Sequence, residues 1–110
     1  MEVVNIRKKE LNKRGYKDFT EWNAQPDTLY IGRNMNFYVP GTHASKWANP
    51  FKTKSMPIEK SLQRYEDYIR GTPELYDALP ELYGLTLGCW CKPNPCHGDV
   101  LLKLLRELNE

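Results

Sequence analysis

The sequence predicts a small α/β fold, with one short, mainly parallel sheet flanked by helices and a long functional loop after the second strand. Three observations carry this. The order of elements reads strand, strand, long loop, helices, strand, helix. If the strands at residues 28–31 and 85–91 are parallel, the helices between them form the crossover. Residues 33–54 show no regular period, and a structureless stretch of that length in a small domain is usually functional.

In chain order, residues 2–6 form a short β-rich start with Val4 and Ile6 on one face. Residues 8–15 are charged and read as a turn or short helix. Residues 16–26 have no clean period, and Phe19 and Trp22 are their expected core anchors. The strand at 28–31 ends at Gly32. Phe37 to Val39 form a brief extended piece before the Pro40-Gly41 turn. Pro57 suits the first position of a helix over residues 57–70, with Ile58, Leu62, Tyr65 and Ile69 packed on the sheet. Gly71 closes that helix. Thr72 caps the next, with Pro73 first and Leu75, Leu79 and Leu82 inward. Pro80 forces a break or two short turns. Residues 85–91 form the central strand, with Leu85, Leu87, Cys89 and Cys91 on one face. The last helix, 100–108, buries Leu101, Leu104, Leu105 and Leu108.

A chain of 110 residues makes a single domain, 1–110, with one modest core. With 27% charged and 40% apolar residues, it reads as an ordinary globular domain rather than a disordered one. A net charge of +2 gives no global field that argues for nucleic acid. Locally, Arg7, Lys8, Lys9, Lys13, Arg14 and Lys17 are opposed mainly by Glu10 and Asp18. A solvated face is the plain reading of that basic region, and a nucleic-acid patch is the alternative. No apolar run approaches a membrane span, and no signal-peptide pattern opens the chain, so no membrane is expected. Three cysteines make no disulfide framework. The expected compartment is the reducing cytoplasm, where clustered cysteines suggest metal binding or reactivity.

All three cysteines lie in residues 89–96, followed directly by His97. A helix start collects unpaired N–H groups and the positive dipole end, which favour anions and thiolates. On that basis Cys96, His97 and Asp99 are the expected catalytic groups: thiol, general acid or base, and either orienting carboxylate or helix cap. Gly98 permits close approach of a ligand. Zinc on Cys89, Cys91, Cys96 and His97 is the disfavoured reading, because Cys-x-Cys lacks the usual knuckle spacing. Cys89 and Cys91 also read as small buried apolar residues. In the loop, Arg33, Ser45, Lys46 and Asn49 offer donors and Trp47 a flat face, which suits a phosphate and a ring. Residues such as Trp47 and Phe51 are more often core plugs than stacking platforms, Asn49 before Pro50 is equally a turn former, and His43 reads as an incidental surface histidine. If the ends of two parallel strands carry them, Arg33, Lys46, His97 and Asp99 converge on one cleft.

Tyr30-Ile31-Gly32-Arg33, the run Ser45-Lys46-Trp47-Ala48-Asn49-Pro50-Phe51, the 62–70 helix, Gly88-Cys89-Trp90-Cys91 and the run from Pro95 to Leu101 together resemble the domain-of-unknown-function family 4326. This family occurs as short proteins of bacteria and their phages. The resemblance runs from Val3 onward and implies no secure activity. The functional expectation therefore rests on the residues. It is an α/β protein that binds a phosphorylated, nucleotide-like ligand, as an enzyme of nucleotide or nucleic-acid metabolism acting by hydrolysis or glycosidic-bond chemistry. The alternatives are a non-catalytic protein that sequesters such a nucleotide and a small zinc-stabilised interaction module.

Overall fold

The computed structural model describes residues 2–33, 35, 39, 41–51, 56–90, 92 and 94–109. Three short strands, β1 (Val3–Asn5), β2 (Thr28–Tyr30) and β3 (Thr86–Cys89), form a parallel sheet in the order β1-β3-β2. The strand that comes last in the chain is therefore central, as the sequence leads one to expect. Helices α1 (Lys8–Lys13) and α2 (Phe19–Asn23) connect β1 to β2. The long loop, α3 (Ile58–Arg70), α4 (Pro73–Tyr76) and a 3-10 turn (Leu79–Leu82) connect β2 to β3, and α5 (His97–Leu108) follows.

Side chains alternate across a strand, so the sheet feeds two cores. Val3, Ile31, Leu87 and Cys89 point to the α3 and α5 side, where Tyr65, Ile69, Leu101, Leu104 and Leu105 cover them. Val4, Ile6 and Tyr30 point the other way, onto Leu11, Phe19 and Trp22. Gly88 lies at the centre of β3, where a side chain would run into the Trp22 ring and Ile6. Glycine there lets Trp22 lie against the strand backbone.

The helices differ from the sequence reading in ways that have local causes. Pro57 is the N-cap of α3, not its first residue. The inward line of α3 is Ser61, Tyr65 and Ile69, while Ile58 and Leu62 are half-buried. Polar Ser61 is inside because it holds the loop, as described below. Helix α2 was not visible as a period. Its start is fixed by Asp18, whose carboxylate accepts the Glu21 N–H at 3.0 Å. Thr72 spends its hydroxyl on the Tyr68 carbonyl rather than on a cap. Pro80 splits its region into α4 and the 3-10 turn, as expected. Helix α5 begins at His97, three residues before the expected start, and Leu108 at its end is 39% exposed. The expected extended piece at 37–39 and its Pro40 turn fall mostly outside the described residues, as does Cys91.

Candidate functional site

The turn from β3 into α5 places Cys96, His97, Gly98 and Asp99 together, but each is engaged within the fold. Cys96 is the N-cap, and its N–H donates to the Asp99 carboxylate at 3.1 Å. The other Asp99 oxygen pairs with the Lys92 ammonium. Burial works against the charged Lys92, but the hydrogen bond and charge of Asp99 outweigh it and hold its pKa above the ordinary lysine value. Asp99 thus caps the helix and anchors Lys92. His97 Nε2 donates to the Ile31 carbonyl at 2.7 Å, since a carbonyl can only accept. Its ring stands edge-on to Tyr65, centroids 5.2 Å apart. Burial lowers the His97 pKa despite the Ile31 carbonyl, so the fold disfavours the charged ring.

The Cys89 and Cys96 sulfurs lie 3.2 Å apart, and both residues are about 1% exposed. The hydrogen bond shared with Cys89, then burial, push the Cys96 thiol above its usual range, outweighing the Gly98 N–H that favours thiolate. A side chain at Gly98 would strike Val3 and Ile31. That glycine serves the approach of α5 to the sheet. Among the described residues, no three His, Cys, Asp or Glu side chains are grouped to hold a metal ion.

The loop between β2 and α3 is held by hydrogen bonds to the body. Buried Thr42 accepts from the Met35 N–H and donates to the Val39 carbonyl. Ser45 N–H donates to the Gly32 carbonyl at 3.0 Å, and its hydroxyl oxygen accepts the Trp47 N–H at 3.1 Å. Trp47 is 2% exposed and belongs to the core, and its carbonyl accepts the Tyr65 hydroxyl at 2.7 Å. Asn49 accepts the Phe51 N–H and donates to Ser61, whose hydroxyl donates to the Phe51 carbonyl. Lys46 stays exposed, 3.0 Å from Glu81 and 5.4 Å from the centroid of the Trp47 ring.

These ties leave a cleft of about 330 Å³ along the outer edge of β2. One wall is Phe19 and Asn23 of α2. The other is His43, Ser45, Lys46 and Trp47 of the loop with Glu81. In a parallel pair, alternate residues bond the neighbouring strand. The Ile31 N–H and Asp27 carbonyl bond β3, so the peptide groups of Tyr30 face the open side. Arg33 is exposed and lies just beyond the cleft, its carbonyl accepting the Tyr30 hydroxyl at 2.6 Å. Of the sequence-predicted ligand residues, Ser45, Lys46 and Trp47 thus share the cleft. Asn49 and the α5 start do not line it. His43, Tyr30, Asn23 and Glu81 line it without having been singled out. A strand-edge tyrosine and an isolated glutamate have no distinguishing pattern, and His43 carried no spacing signal.

The fold and these motifs define a class. The chain belongs to the family described as domain of unknown function (DUF4326), whose model matches residues 15–107. That match begins after β1 and α1. Among relatives, an uncharacterised protein R718 of Acanthamoeba polyphaga mimivirus is 37% identical over 91 residues, covering 74% of this chain and 69% of that protein. An "uncharacterized 12.4 kDa protein in nrdA-td intergenic region" of Enterobacteria phage T4 is 50% identical over 66 residues, covering 56% of this chain and 61% of its own length. The chain thus spans about two thirds of the length of these curated relatives. No solved structure matches it significantly. Among the described residues, no helix is long and apolar enough to cross a membrane.

Proposed function

We propose that this domain binds a phosphorylated, nucleotide-like ligand at the outer edge of β2 and does not turn it over. The cleft carries the reading. Its volume is at the small end of ligand sites, suited to one mononucleotide-sized molecule. Lys46 stands at its rim on a loop tied down at Ser45, Trp47 and Asn49. Its ion pair with Glu81 is exposed on both sides, so little is lost when a phosphate takes the place of the carboxylate. The outward peptide groups of Tyr30 offer one donor and one acceptor to a base edge. The absence of turnover is supported by the α5 start. The Cys96 thiol is held protonated, His97 is buried and bonded to a carbonyl, and Asp99 is spent on a cap and an ion pair. None of the three is poised as a nucleophile, base or acid.

Isothermal titration with nucleoside monophosphates and triphosphates tests this. The reading predicts saturable binding that Lys46→Ala weakens about tenfold or more, since a charge-assisted contact contributes roughly 1.5 to 3 kcal/mol. The nucleotide should be recovered unchanged by chromatography. Absence of saturation at millimolar nucleotide, or indifference to Lys46→Ala, contradicts binding in this cleft. Conversion of the nucleotide contradicts the non-catalytic reading.

A further inference from the structure

We propose that the bound nucleotide is one unit of a single-stranded nucleic acid, whose backbone crosses the carboxyl ends of the three strands. This deepens the cleft reading and rests on it for the unit held beside β2. The strand ends supply separate support. Because the sheet is wholly parallel, β1, β3 and β2 all end on one edge. The segments leaving them carry Arg7, Lys8 and Lys9 after β1, Lys92 after β3 and Arg33 after β2, and no carboxylate before Glu10. The segregation extends further. The sequence has 14 acidic residues, yet none lies between Asp27 and Glu59 or between Glu81 and Asp99. These two stretches contain every residue from the end of β2 to the start of α3, and from β3 to the start of α5.

Asp99, on the first turn of α5, is bound to Lys92 and the Cys96 N–H. Arg7, Lys8, Lys9 and Arg33 are exposed, and among the described residues no carboxylate pairs with them. The rest of the basic N-terminal region is different. Lys13 and Arg14, at the far end of α1, face Glu10 at 3.5 Å and Glu2 at 3.9 Å. A low net charge therefore conceals a local strip of positive charge along one sheet edge.

An aromatic ring sits in this strip. Trp90 directly follows β3 and is half-buried. Its ring is fixed by an N–H bond to the Tyr30 hydroxyl at 2.8 Å and by edge contact with the Tyr30 ring. Tyr30 in turn lines the cleft. With strands about 4.8 Å apart, the cations after β1, β3 and β2 span on the order of 10 Å and lead to the cleft. That suits a few phosphates of one strand. A duplex is read by an element inserted in a groove, whereas a row of cations with one stacking face and a cleft for one unit suits unpaired nucleotides.

The test is fluorescence anisotropy of the whole chain with a labelled oligothymidylate of about 12 nucleotides, a length within single-strand site sizes. Binding should saturate and weaken as salt rises. Arg33→Gln, or Arg7, Lys8 and Lys9 all changed to Gln, should weaken it and reduce the salt slope by about one for each phosphate no longer neutralised. Lys13→Gln with Arg14→Gln serves as the control and should change little. Duplex DNA should compete poorly. If the oligonucleotide fails to bind while mononucleotides still bind in a Lys46-dependent way, this inference is wrong and the cleft reading stands. Salt-dependent oligonucleotide binding that ignores Lys46→Ala, with no mononucleotide bound, removes the cleft reading and leaves the strand-end surface. Equal sensitivity to the control pair, or tighter binding of duplex, overturns the inference.

Discussion

His97 shows how burial decides what a reactive residue does. The sequence places it beside a thiol at a helix start, where it reads as an acid or base. The structure presses its ring against Tyr65 and gives its N–H to the Ile31 carbonyl. Its folded pKa lies below the ordinary value, so as pH falls the unfolded chain takes up this proton first. The His97 contribution to stability is fully present above about pH 6.5 and is lost as pH drops from there through the folded value. His97→Gln, which can keep a donor and does not titrate, should flatten that limb. Melting temperatures at about pH 7.5 and pH 5.5 should draw together in the variant, in a range above ordinary carboxylate titration. An undiminished pH dependence would show that another group is responsible. Which residues gather at the α5 start was legible in the sequence. The direction in which the fold shifts the Cys96 thiol was not, because a thiol at a helix start is raised or lowered by what faces it. Here that is the Cys89 sulfur, seven residues away in sequence.

The loop and α3 act as one element. The 3.6-residue period made α3 visible, and the period pointed to Leu62 as the buried residue of its second turn. Ser61 is buried instead, because its hydroxyl ties Asn49 and the Phe51 carbonyl, a pairing that only the folded loop creates. One turn on, Tyr65 is fully buried and bonds the Trp47 carbonyl. Tyr65→Phe keeps the packing and leaves that carbonyl without its partner, which should cost roughly 1 to 3 kcal/mol in urea unfolding. It should also loosen Lys46, next to Trp47, and weaken nucleotide binding. Unchanged unfolding and unchanged binding together would mean that α3 does not hold the loop. Helix α2 was missed because five residues are too few to show a period, although Asp18 followed by Glu21 at three residues' distance is a start signal.

At the scale of the molecule, the parallel sheet was legible from the order of elements. Its consequence for function lies in which surface each strand end presents. The sequence reading joined Arg33 and Lys46 to His97 and Asp99, since all four follow strands or precede α5. In the structure the sheet has two faces and a free edge. The α5 start is packed beneath one face, at Val3 and Ile31, while Lys46 lies at the edge of β2. Sequence order alone does not separate Lys46 from the α5 start. The most direct measurement is the nitrogen–proton NMR spectrum of the labelled chain during titration with a nucleoside monophosphate. The account predicts saturable shifts in the amides of Tyr30 and of His43 to Trp47, with those of His97 to Asp99 nearly still. Shifts centred on the start of α5, with the β2 edge unmoved, would contradict it.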